Sequence, residues 1–205
     1  MAKAFNRDEL LDAFDEIGRA ALAAGVKLQV AVYGGSALIL ASNFRFSTED
    51  VDMARLARPW PDWLVDIVEQ IAKRNRWASN WFNDAVTFHL SPLADEASDH
   101  VEFGTFPRNL DPAGLVVYVP TPEYLLALKL KSIRVNDPDK GEPERGDILN
   151  LMRLLGIDKA EDAIGVLARY FPASGADADK QRFLLKYIMQ LGGAVDAPEY
   201  PRRSD

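Results

Sequence analysis

The hydrophobic pattern of this chain changes period once, at Pro120-Thr121-Pro122, and that change limits what it can fold into. Before it lie short apolar runs of strand length: Lys27–Tyr33, Val51–Leu56, Val86–Leu90, His100–Phe106 and Leu115–Val119. After it every periodic segment is helical. Thr121 as N-cap, Pro122 at the first helical position and Glu123 open a helix to about Arg134. A polar, Pro-containing loop, Val135–Pro143, follows. Helices then run over Arg145–Leu155, from Asp158 to about Tyr170, and over Asp179–Leu191, the last ended by Gly192-Gly193.

Three helices are interleaved with the strands. Residues 7–24 place Leu10, Leu11, Phe14, Ile17, Ala21 and Leu22 at helical spacing, with Asn6 as N-cap and Gly25 as stop. Ser36–Ser42 suits a short buried helix, and Pro61–Lys73 shows Trp63 or Leu64, Ile67 and Ile71 on one face. The order α-β-α-β-α-β-β-β predicts an α+β architecture, a mixed sheet with packed helices followed by a C-terminal helical bundle. The expected units are a core over 1–119, a helical region over 120–195 and a mobile tail over 196–205.

Composition removes several function classes. The chain has no Cys, so disulfides, thiol nucleophiles and thiolate metal sites are excluded, in keeping with a reducing cytoplasm. His89 and His100 are its two histidines and share no metal-ligand spacing. A formal charge of −7 disfavours non-specific coating of nucleic acid but permits a local site. No apolar run approaches the ~18 residues of a membrane span, and the charged start of the chain has no signal-peptide character, so a cytoplasmic protein is expected.

Asp-x-Asp occurs at Asp50/Asp52, Asp137/Asp139 and Asp177/Asp179. The second holds Pro138 in a loop, and the third precedes a helix, where acids favour the macrodipole. Only the first heads an apolar strand, where residues two apart share a face. Two such carboxylates plus substrate phosphates are how Mg²⁺ is usually held. That pair also follows Gly34-Gly35-Ser36. Glycine admits a phosphate to the backbone, and helix N-terminal amides favour an anion. A plain strand-to-helix turn with Ser36 as N-cap would explain the tripeptide by itself; the joint pattern points to a nucleotide and its metal.

Gly-Gly-Ser followed by Asp-x-Asp on the next strand resembles the polymerase-beta-type nucleotidyltransferase superfamily. More narrowly, the chain resembles AbiEii/MenT-like toxins of type IV toxin–antitoxin systems. The narrower likeness includes Arg45 and Thr48, Asn80-Trp81-Phe82-Asn83-Asp84, Pro122-x6-Lys129, Arg134 and Asp147-Ile148, and spans about residues 27–156. It implies that Gly34, Gly35, Ser36, Arg45 and Lys129 bind the triphosphate, and that Asp50 and Asp52 carry Mg²⁺ or Mn²⁺. It further implies that Lys129 and Asp147 complete the catalytic set. Many superfamily members have a third strand carboxylate, for which Glu102 is the best-placed residue. Some toxins of the group are phosphorylated on a hydroxyl near the acid pair, and Thr48 stands there.

The residues also admit plainer roles. Lys129 suits a snorkelling lysine, with Lys131 facing solvent. Asp147 suits an ordinary first-turn acid, and Glu102 an outward strand residue. Trp77, Trp81 and Phe82 suit either base stacking or core. Arg55, Arg58, Lys73, Arg74 and Arg76 suit either an RNA-guiding patch or a solvated face. The expected function is NMP transfer from an NTP to an acceptor hydroxyl, with RNA or tRNA as acceptor and a cognate antitoxin as partner. The alternatives are transfer to an antibiotic and a non-catalytic nucleotide- or partner-binding module.

Overall fold

The structure is a computed structural model; it describes residues 3–56, 59–133, 141–172 and 175–201, with backbone only over 175–177. Arg58, Arg134, the loop 135–140 with its Asp137/Asp139 pair, the Asp177 side chain and tail residues 202–205 lie outside the described residues.

The architecture is α+β. The first half holds α1 (Arg7–Ala23), β1 (Leu28–Tyr33), α2 (Gly34–Ala41), β2 (Val51–Ala54), α3 (Asp62–Asn75) and β3 (Phe82–Asn83). A 3-10 helix (Ala85–His89), β4 (His100–Phe106) and β5 (Leu115–Pro120) complete it. The second half is helical: α4 (Pro122–Lys131), α5 (Gly141–Leu154), α6 (Ala160–Tyr170) and α7 (Gly175–Leu191). The strands form one five-stranded sheet in the order β3-β2-β1-β5-β4. β1 is parallel to β5, and β2 to β3; β1 with β2 and β4 with β5 are antiparallel.

Local chemistry accounts for most boundaries. Asn6 and Glu9 cap α1 reciprocally, each side chain accepting from the other's backbone N–H at 3.0 Å. Thr121 caps α4 by accepting from the Tyr124 N–H, with Pro122 at its start. β1 and β5 are near-continuous apolar runs because they are interior strands, covered on both faces. The core runs unbroken from the sheet through α4 to Leu185 and Ile188 of α7.

Five expectations need correction. Val86–Leu90 is not a strand: Asn83 Oδ1 accepts from the Ala85 N–H at 3.0 Å, turning the chain into the 3-10 helix, and the two-residue β3 takes the sheet edge. β2 ends at Ala54 rather than Leu56, because Arg55 has φ 73°. α5 begins at Gly141 rather than Arg145; Pro143 sits in its first turn, where a missing N–H costs nothing. α7 begins at Gly175 rather than Asp179. α2 begins at Gly34, so Tyr33 and not Ser36 is the N-cap.

The segment after α7, expected as a tail, lies along the molecule. Val195 N–H donates to Asn150 Oδ1 at 2.7 Å, and Tyr200 Oη donates to the Pro120 carbonyl at 2.6 Å. Asn43 donates to the Ala197 carbonyl at 2.9 Å and accepts from the Glu199 N–H at 3.0 Å. Among the described residues no helix is long and apolar enough to cross a membrane.

Candidate functional site

A cleft of about 850 Å³ opens where the sheet meets the helical half. One wall is the start of α2 with the loop into β2, contributing Gly34, Gly35, Arg45, Thr48, Glu49 and Asp50. Asp52 of β2 lies at its base, and Ala85, Val86 and His89 of the 3-10 helix form a second side. Leu125, Leu128, Lys129 and Lys131 of α4 face them, with Glu144 of α5.

Asp50 and Asp52 both reach the cleft while the intervening Val51 is fully buried, as strand alternation requires. Thr48 Oγ1 lies 3.4 Å from Asp50 Oδ1. Thr48 is itself buried, and its backbone bridges Phe5 in both directions. Gly34 has φ +63°, and a Cβ there would lie 3.1 Å from Asp52 Oδ2; at Gly35 a Cβ would meet Thr48 Oγ1 at 3.0 Å. The two glycines therefore bring α2's first amides beside the acids. Those amides have no intrahelical acceptor, and no side chain caps them.

Ser36 is close by but differently used. It is buried, and its hydroxyl donates to the Tyr33 carbonyl at 2.8 Å, within its own turn. What it can offer an anion is backbone N–H, not hydroxyl.

Asp147 does not line the cleft. It is buried behind it, and its Oδ2 accepts from Lys129 Nζ at 2.8 Å and from Arg45 Nη1 at 3.1 Å. Arg45 Nε also donates to the Ser47 carbonyl at 3.0 Å. One carboxylate thus fixes two cations from opposite walls. Lys129 is accordingly not a free snorkelling lysine.

Other candidates fall elsewhere. Glu102 is exposed on β4, an edge strand at the opposite end of the sheet from β3 and outside the cleft. Trp77 and Trp81 are buried against Phe5, with centroids 4.4 and 6.0 Å from its ring, and Phe82 is buried beside them; none can stack on a base. The basic concentration is dispersed: Lys73 pairs with Glu69, Arg74 with Glu16, and Arg55 donates to the Glu96 carbonyl while covering the Tyr118 ring.

Glu144 and Tyr33 also line the cleft, though the sequence did not single them out, and Lys131, expected to face solvent, is exposed within that lining. Glu144 lies three residues before Asp147, on the same helix face, a spacing hidden once Pro143 was read as loop. Tyr33 lines the cleft, and its hydroxyl meets His100 Nε2 at 2.8 Å. Burial, and then the charge of Arg55, push the His100 pKa down; burial pushes the Tyr33 hydroxyl up.

Comparison with protein-family models, curated proteins and solved structures found no match.

Proposed function

We propose that this chain is a magnesium-dependent nucleotidyltransferase, transferring an NMP from an NTP to an acceptor hydroxyl, with RNA and foremost tRNA as acceptor and growth inhibition as outcome. One observation carries the reading. Gly34-Gly35, the acid pair Asp50 and Asp52, and the cations Arg45 and Lys129 held by Asp147 converge on a single cleft, though they span residues 34 to 147.

The chemistry assigns each group a task. The α2 amides and the two cations receive the triphosphate. Asp50 and Asp52 fit one hard cation. Among the described residues no group of three or more His, Asp or Glu that could hold a metal occurs, so Mg²⁺ or Mn²⁺ here would take further ligands from substrate phosphates and water. The chemistry such an ion supplies is charge neutralisation on the phosphates. The acceptor hydroxyl releases its proton to water as its oxygen bonds to the α-phosphorus; the bond from that phosphorus to the bridging oxygen breaks, and pyrophosphate leaves. Positioning and fixed charge provide most of the acceleration.

The test is transfer of label from each α-labelled NTP to purified tRNA. Asp50→Ala and Asp52→Ala should abolish transfer, and any growth arrest on expression, while circular dichroism stays native. Full transfer by Asp52→Ala would sink the mechanism. A second reading, a cationic antibiotic as acceptor, draws support from Glu49 and Glu144 in the lining. An antibiotic panel in the same assay separates the two. Nucleotide binding without transfer to any acceptor would instead favour a non-catalytic module.

A further inference from the structure

We infer that Asn43 is a positioning residue for nucleotide binding, acting on Arg45 through a strap formed by residues 195–200. The inference rests on the reading that Arg45 receives the triphosphate. Arg45 and Asp147 meet across the gap between the loop into β2 and α5, 102 residues apart in the chain. The strap spans the same gap a second time. At its α5 end, the Val195 N–H donates to Asn150 Oδ1 at 2.7 Å, and the Val195 carbonyl accepts from Arg153. Asn150 is buried three residues after Asp147. At the loop end, Asn43 stands two residues before Arg45. Its amide donates to the Ala197 carbonyl at 2.9 Å and accepts from the Glu199 N–H at 3.0 Å. Tyr200 Oη then donates to the Pro120 carbonyl at 2.6 Å, just before α4, the helix of Lys129. One short segment therefore ties together the elements that carry Arg45, Asp147 and Lys129.

The grip needs an amide, because Asn43 donates and accepts at once. A carboxylate there would keep the acceptor but set a charge against the Ala197 carbonyl, and an alanine would keep neither bond. Phe44, between Asn43 and Arg45, is buried in the core, so the two move as one unit. Arg45 benefits from this second hold: its side chain is 22% exposed, and the carboxylate oxygen it meets also serves Lys129. A cation that binds substrate keeps its geometry only when groups behind it fix the backbone that bears it.

The experiment measures binding by the full chain. ATP, GTP, CTP and UTP are titrated in turn by calorimetry with magnesium present, and a urea midpoint is recorded for every variant. Asn43→Ala and Asn43→Asp should each weaken the NTP that wild type binds best roughly 3- to 30-fold. Arg108→Ala is the control. It breaks the Arg108 bonds to Asp15 at 2.8 and 3.0 Å, outside the cleft lining, and should lower the urea midpoint with NTP affinity unchanged. In an Arg45→Ala background, Asn43→Ala should add nothing to the loss, because the residue through which it acts is gone. Wild-type affinity in both Asn43 variants overturns the positioning role, as does the full Asn43 loss on top of Arg45→Ala. An equal loss in Arg108→Ala assigns the effect to stability and overturns it too. If wild type binds none of these NTPs, the reading beneath it fails instead.

Discussion

Asp147→Ala should be among the most damaging substitutions in the molecule, although Asp147 does not itself line the cleft. Its side chain is 2% exposed and holds Lys129, itself 11% exposed, at 2.8 Å. Arg45 shares the same oxygen but is 22% exposed and can turn to water. Removing the carboxylate therefore strands chiefly the lysine. Breaking a buried pair in this way costs about 3–5 kcal/mol, a large part of a total stability of order 5–15 kcal/mol. In urea this is a midpoint shift of about 1–3 M at an ordinary slope. Lys129→Met should cost less, because Asp147 keeps Arg45. The double variant should cost less than the two singles added, by roughly 0.5–3 kcal/mol, because the stranded charge is gone. NTP affinity should also fall in Asp147→Ala, since Lys129 loses its fixed position. A loss under about 1 kcal/mol, or strict additivity in the double variant, would refute the buried-anchor account.

Gly34→Ala should weaken NTP binding and cost about 1–2 kcal/mol of stability, because φ is +63° and the new Cβ would crowd Asp52; unchanged calorimetric affinity would count against the amide cradle. Glu102→Gln should leave transfer and its metal dependence intact, since Glu102 is exposed on the far edge strand; a raised metal requirement would restore it as a ligand. His100 has its pKa lowered by burial, so the unfolded chain binds its proton first on acidification. Its contribution to stability is full above the unfolded value of about 6.5 and falls as pH drops from there toward the lowered folded value. Thermal melts at pH 7.5 and 5.5 should show that loss, and His100→Gln should flatten it. An equal slope in the variant would assign the loss to other groups.

Where period and caps spoke together, the sequence was legible. Asn6 opened α1, Thr121 and Pro122 opened α4, and the apolar runs of β1 and β5 marked them as strands. Val86–Leu90 misled because its alternation mimics a strand, while the Asn83 side chain that turns the chain acts two residues on, just before the run begins. In the site, Asp50 and Asp52 were readable from strand alternation. That Asp147 would stand behind Lys129 and Arg45 was not, because helix spacing fixes a face but not which neighbour covers it. That Trp77 and Trp81 are core was not readable either, since no local pattern separates a buried aromatic from an open one.

Asn43 and Thr48 bracket the wall that carries Arg45, and each is held by a segment remote in the chain. Thr48 is bridged by Phe5, made before it; Asn43 is gripped by Ala197 and Glu199, made 154 and 156 residues after it. A ribosome builds the glycine turn and the acid pair long before it supplies that second grip. The wall is therefore completed only after residues 197–199 have left the ribosome, and a shorter nascent chain carries parts of the cleft without that brace.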